Sequence, residues 1–400
     1  MQSYLDLVQH TSLNNKILFV THKYPPSTGG MQKQSFELIE FVKKQTEVQE
    51  IIYRSNYPKF FFLLTVTLRV FYKVLSNRRI QLIHANDGLM ALFLTPLLMI
   101  KRLKICATVH GLDVVFNFSL YQWWVKNYLP KFSFLISVSE ATLEECVKIG
   151  VPRKKVHYIP NAVELPERME RDPSFPKWLQ DTYQIELNDK LVISSVGRPV
   201  PRKGFGWFAK NVLPEIPNAI YLVVGTEMES RGMILLLRKL LPSAVFEKLC
   251  KMLGVPLDTI ALTEISKNGD QLVLLGKISQ EKLFQTYLHT DIFVMPNLHV
   301  KGDFEGFGLV ALEAGVFGAI CLASNVDGIP SAIEDGKNGF LLESESPNTW
   351  IKKISELRKP QGLSGARSDF KNYYESHQIT WDEVGERYLT LFAETLLHND

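Results

Sequence analysis

Two glutamates with seven residues between them, Glu305 and Glu313, bracket a glycine-rich turn in the run GDFEGFGLVALEAG, residues 302–315. The preceding DIFVMP reads as a strand, and a helix is expected to open near Gly308. Gly306 and Gly308 would then let backbone amides approach a phosphate at a helix N-terminus. Carboxylates in the loop and about a turn and a half into that helix can accept hydrogen bonds from sugar hydroxyls. A second cluster, VGRPVPRKGFGWF at 196–208, sets Arg198 and Lys203 beside a turn that opens a helix near Gly204. Two fixed cations with helix amides suit a leaving diphosphate; a solvated basic loop is the plainer alternative. In HKYPPSTGGMQKQSF, 22–36, Pro25 and Pro26 stiffen a turn while Gly29 and Gly30 begin a helix, again a cradle for an anion or a sugar. TVHGLD, 108–113, places His110 and Asp113 at the end of a strand, where doubly wound sheets bind ligands, though a lone histidine is as often structural. Ser139-Glu140 reads as a helix N-cap.

The elements that must position these residues are short apolar, β-branched runs separated by helical patterns: KILFV (16–20), VQEIIY (48–53), IQLIHA (80–85), KICATV (104–109), FLISV (134–138) and KVHYIP (155–160). After a Pro- and charge-rich stretch at 161–189 the alternation repeats with LVISSVG (191–197), AIYLVVG (219–225), QLVLLG (271–276), DIFVMP (291–296) and GAICLA (318–323). The expected fold class is α/β, with two Rossmann-like doubly wound parallel-sheet domains, 1–165 and 166–379, facing a cleft. A helical elaboration is expected at 226–270, broken by Pro242, and two helices close the chain between Asp369 and Leu397. KFFFLLTVTLRVFYKVL, 59–75, is too short to span a membrane and carries Thr65, Arg69, Lys73 and Ser76 as one polar stripe. It reads as an amphipathic helix, either packed on a core or lying partly on a membrane surface.

At 400 residues, 46% apolar and 22% charged, the composition excludes a disordered chain, a collagen and a coiled coil. The net charge of +3 argues against a nucleic-acid partner, but it is a sum of unlike halves. Residues 1–160 hold 20 Lys+Arg against 10 Asp+Glu, and 161–400 hold 25 against 32. Between Ile51 and Ser139 there are 11 basic residues and only two acids, Asp87 and Asp113, among many aromatics, which suits an anionic, partly apolar surface. Cys106, Cys146, Cys250 and Cys321 show no paired spacing, so neither disulfides nor a metal site is expected. The N-terminal residues carry no secretory signal pattern, so a cytoplasmic location is the default. Gly306-x-Gly308-x-x-Ala311 also fits a dinucleotide fingerprint, but on a loop too long for its tight turn.

Taken together, PPSTGGMQ, HGLD, VSE, IPNAV, VGRPVPRKG, VVG, DIFVMPN, EGFGLVALEAG and DGKNGF, in that order over about residues 16–345, resemble the retaining nucleotide-sugar glycosyltransferases of the GT-B fold, family four. The resemblance implies that Glu305 holds donor-sugar hydroxyls and that Phe307, Gly308 and Leu309, after Gly306, offer amides to sugar and phosphate. Glu313 would accept from the nucleotide ribose, and Arg198 and Lys203 would take the diphosphate. Gly29 and Gly30 would line the donor site from the first domain, and His110 would contact the donor sugar near the reacting carbon. It further implies that the closing helix, within 380–400, returns to the first domain and that the acceptor is a glycan or a lipid-linked molecule. The donor would be a nucleotide-diphosphate sugar acting as substrate, with no separate cofactor. No Asp-x-Asp occurs in the chain, so a metal bridging the diphosphate is not indicated. Other readings are a nucleotide-sugar epimerase, a phosphorylase, a nicotinamide-dependent oxidoreductase, and a catalytically silent nucleotide-sugar binder.

Overall fold

The computed structural model describes residues 13, 16–55, 57–164, 170–225, 240–242, 246, 258–267, 269–377 and 379–397. Most of the helical elaboration expected at 226–270, with its leucine-rich run, lies outside them.

The first sheet is formed by β1 (Ile17–Thr21), β2 (Gln49–Ile52), β3 (Leu82–Ala85), β4 (Lys104–Val109), β5 (Phe134–Ser137) and β6 (Val156–Tyr158). They pair in parallel in the order β2-β1-β3-β4-β5-β6. The second is formed by β7 (Leu191–Val196), β8 (Ala219–Val224), β9 (Leu272–Gly276), β10 (Ile292–Met295), β11 (Ile320–Ser324) and β12 (Phe340–Leu342), parallel in the order β12-β11-β10-β7-β8-β9. Central parallel strands with helices on both faces are buried and rich in apolar residues, as in AIYLVV of β8, where every residue is buried. This is the α/β architecture of two Rossmann-like sheets, with a twelfth strand that the apolar runs did not announce.

Chain order reverses between β1 and β3 in the first sheet and between β7 and β10 in the second. In an open α/β sheet the loops that leave the carboxyl ends of strands at such a reversal diverge and leave a crevice for ligands.

Two compact units share the described residues: one takes those of 1–164, 301–309 and 379–400, the other those of 165–300 and 310–378. In the first, one face of the sheet is covered by a cluster containing Phe62, Val70, Met90, Leu94, Trp124 and Val125. The other face is covered by the helices Gly30–Gln45 and Trp381–Leu397, through Leu38, Val42, Tyr388 and Phe392 against Phe19 and Ile136. The last helix starts with a reciprocal cap: the Thr380 amide donates to the Glu383 carboxylate at 3.1 Å and the Glu383 amide to the Thr380 hydroxyl at 3.2 Å. Its Tyr388 hydroxyl meets Thr108 Oγ1 at 3.0 Å and receives the Gln34 amide at 3.2 Å, joining helix, sheet and helix. The second unit packs Phe208, Tyr221, Trp350 and Ile354 on one face of its sheet and Phe175, Leu179, Ile220 and Leu222 on the other. Among the described residues no helix is long and apolar enough to cross a membrane.

Candidate functional site

In the first unit the C-terminal ends of β1, β3 and β4 carry His22, Asn86, Asp87 and His110, all less than a tenth exposed. His110 Nε2 lies 3.0 Å from the Asn86 carbonyl oxygen, which can only accept, so Nε2 carries the proton of that bond. Asp113 Oδ2 accepts from the His110 backbone amide at 2.9 Å, not from the ring. Burial raises the Asp113 pKa. For Asp87 burial acts in the same direction, but His22 Nδ1 at 3.1 Å and the Met90 amide at 3.0 Å offset it, and its pKa is lowered. Two buried carboxyls with opposed shifts thus stand at this end of the sheet, Asp113 on the His110 amide and Asp87 on His22. His22, Asn86 and Asp87 escaped the sequence reading, although NDG, 86–88, follows a strand as closely as HGLD does.

The loop 301–309 belongs to this unit, and its contacts explain its glycines. A Cβ on Gly306 would stand 2.4 Å from the His110 carbonyl oxygen, so the loop backbone rests directly on the β4 exit. Gly111 has φ +87° and a Cβ there would meet the Phe304 ring at 2.2 Å. Gly30, the first residue of its helix, approaches Leu309 Cδ2 with ordinary spacing of 3.8 Å. The structure therefore brings Gly30, His110, Glu305, Gly306 and Leu309 into one unit, with Gly29 capping the Gly30 helix; Glu305 is half-buried, and Phe307, Gly308 and Leu309 are buried.

Arg198, Lys203 and Glu313 belong to the second unit. Residues 197–204 leave β7 and residues 296–300 leave β10, the two strands at its order reversal. The Leu298 amide donates to the Arg202 carbonyl at 2.9 Å. Gly204, at φ +66°, leaves so little space that a Cβ would come 1.9 Å from the Pro296 carbonyl oxygen. Lys203 is only 8% exposed, which is not the state of a solvated basic loop, whereas Arg198 is exposed. The helix that follows, Phe205–Asn211, does not keep all its amides for a phosphate as its position suggested. Asp258 Oδ2 accepts from the Gly206 amide at 2.9 Å, and burial raises the Asp258 pKa. The helix after Gly308 runs Leu309–Val316, so Glu313 stands on its second turn, close enough to Tyr287 that burial and this carboxylate raise the tyrosine pKa. Ser139 is a helix cap: its hydroxyl accepts the Thr142 amide at 3.1 Å.

The family model described as Glycosyltransferase Family 4 matches residues 15–167, and the one described as Glycosyl transferases group 1 matches residues 257–376. A 41.2 kDa uncharacterized protein in the cps region of Klebsiella pneumoniae is 24% identical over 76% of this chain and 80% of its own length. The GDP-mannose-dependent alpha-(1-6)-phosphatidylinositol monomannoside mannosyltransferase of Mycolicibacterium smegmatis is 23% identical over 94% of this chain and 98% of its own. Among solved structures, Anabaena HepE in complex with UDP and glucose is similar over 95% of this chain and all of that one, with a TM-score of 0.67 at 15% identity.

Proposed function

We propose that the chain, whose two parts match glycosyltransferase family models and whose fold is of the GT-B kind, moves a sugar from a nucleotide-diphosphate donor to a glycan or lipid-linked acceptor, with retention of anomeric configuration. The observation that carries this reading is the seating of the Glu305–Gly306 loop on His110, which leaves no room for a side chain and holds a carboxylate and a histidine in fixed register. Glu305 binds donor-sugar hydroxyls and His110 contacts the sugar near the reacting carbon. Gly29 and Gly30 line the donor site, Phe307 to Leu309 offer amides, and Glu313 accepts from the ribose.

Arg198 and Lys203 neutralise the departing diphosphate without a metal. Removing one such charge costs roughly 3 kcal/mol of barrier. The leaving phosphate itself takes the acceptor's proton as the new bond forms on the same face of the sugar. The named relatives divide between GDP-mannose and UDP, so the donor base is open and the acceptor fits surface polysaccharide or glycolipid synthesis. The place of work we propose is the cytoplasmic membrane face, bound peripherally through the basic first half.

A screen of UDP-, GDP- and ADP-sugars for hydrolysis identifies the donor. Glu305→Ala and Lys203→Ala should then each lose about a hundredfold or more in kcat, and activity unchanged in both rejects the site. An NMR assignment of inverted product would reject the retaining course.

A further inference from the structure

The membrane part of that reading can be carried to a defined surface. Of the two acids that accompany 11 basic residues between Ile51 and Ser139, Asp87 is 1% exposed and Asp113 is bonded to the His110 amide. The surface built by this stretch therefore presents cations with almost no carboxylate charge of its own.

On it lies the helix Lys59–Ser76, which divides into three sectors at about 100° per residue. Phe62, Val66, Val70 and Val74 are fully buried and face the core. Beside them runs the polar stripe, with Arg69 Nη1 donating to the Tyr57 hydroxyl at 2.8 Å and Lys73 Nζ reaching the Glu50 carbonyl at 3.5 Å. The third sector is apolar and faces solvent: Phe60, Phe61, Leu64, Leu68, Phe71 and Leu75 are each 46–69% exposed, with Tyr72 at its edge. Single exposed apolar side chains are ordinary, but an unbroken row along the whole helix is not. The neighbouring helix Gly88–Leu94, tied to this one by Thr67 Oγ1 donating to the Phe93 carbonyl at 2.8 Å, continues into a turn that ends in the exposed Met99. Arg78, Arg79 and Lys101 are exposed at the C-terminal end, where Arg102 donates to the Val74 and Ile80 carbonyls at 2.8 Å.

We infer that this face is the surface on which the protein lies against an anionic lipid bilayer. The Phe60–Leu75 row enters the boundary between headgroups and acyl chains, and Arg69, Arg78, Arg79 and Lys101 meet the lipid phosphates. Charge decides between this occupant and a second copy of the chain. A two-fold contact through the row would bring the same cations together, while anionic headgroups neutralise them.

The test is co-sedimentation of the whole chain with phosphatidylcholine vesicles, with and without phosphatidylglycerol, in the absence of any nucleotide sugar. It therefore reads the surface whether or not the transfer reading holds. The parent should pellet with the anionic vesicles and far less with the neutral ones. Leu64→Glu/Leu68→Glu should weaken that binding by about tenfold or more, with melting and donor hydrolysis unchanged. Leu68→Trp, which keeps the face apolar, should add fluorescence that brominated lipid quenches, and this readout stands even where the glutamates disturb folding. A parent that stays in the supernatant with both vesicles overturns the inference, and so does added fluorescence in the Leu68→Trp variant that brominated lipid leaves untouched. A dimer in sedimentation velocity that the two glutamates dissociate overturns it as well, because it assigns the row to self-association.

Discussion

Gly306 and Gly30 both stand where the residue pattern asks for a close backbone approach, but only one of them is held to glycine by its surroundings. A methyl group at Gly306 would sit 2.4 Å from a carbonyl oxygen of the β4 exit, which cannot yield, whereas at Gly30 it would meet only a leucine methyl at 3.8 Å. Gly306→Ala should therefore lower first-unit stability by about 1–3 kcal/mol and move Glu305 out of register. Gly30→Ala should hold stability or raise it by about 0.5 kcal/mol through helix propensity. Thermal melts of the two variants check this, and equal losses would remove the steric account. The glycines were legible as types; that Gly306 rests on the backbone of His110 was not, because nothing local in the sequence records it. His84 was not legible at all. Burial lowers its pKa to about 3, and its Nε2 lies 2.9 Å from Thr108 Oγ1. A buried base with a depressed folded pKa binds its proton in the unfolded state first. Its contribution is thus complete above about pH 6.5 and is lost as the pH falls toward 3. Urea midpoints from about pH 7 to about pH 4 should fall more steeply for the parent than for His84→Gln; parallel curves would show that His84 is not the titrating group.

At the scale of elements, eleven of the twelve strands among the described residues follow runs that were readable because buried parallel strands are rich in apolar and β-branched residues. β12 is the exception for the same reason reversed. It has three residues, Phe340–Leu342, two of them half-buried at a sheet edge, and no run forms. Helix starts were less legible where tertiary partners fill them. Asp258 stands 52 positions beyond Gly206, yet it occupies the amide that the VGRPVPRKG pattern reserves for a phosphate. This carboxyl needs only an acceptor oxygen to serve the Phe205–Asn211 helix. Asp258→Asn should accordingly cost less than about 1 kcal/mol, and Asp258→Ala about 1–2 kcal/mol from the abandoned amide. Urea denaturation separates the two, and an asparagine as costly as alanine would mean that the negative charge itself is required.

The whole molecule closes on its own beginning. Chain order places the helix Trp381–Leu397 after every strand of the second sheet, but its buried Trp381, Val384, Tyr388, Leu389, Phe392 and Ala393 complete the core over β1 and the Gly30–Gln45 helix. Gly385 admits Phe41 so closely that a Cβ would lie 2.1 Å from the ring. Losing one large buried side chain costs about 3–5 kcal/mol, and a domain's whole stability is about 5–15 kcal/mol, so the first unit cannot survive removal of the entire helix. The second unit keeps its own cores, which draw nothing from residues 379–397. A chain ending at His377 should therefore lose the calorimetric transition of the first unit and become rapidly cleaved by protease between β1 and β6. The second unit's transition and its protease-resistant fragment should remain. If both transitions survived the truncation, the last helix would be an accessory layer and the first unit would be complete without it.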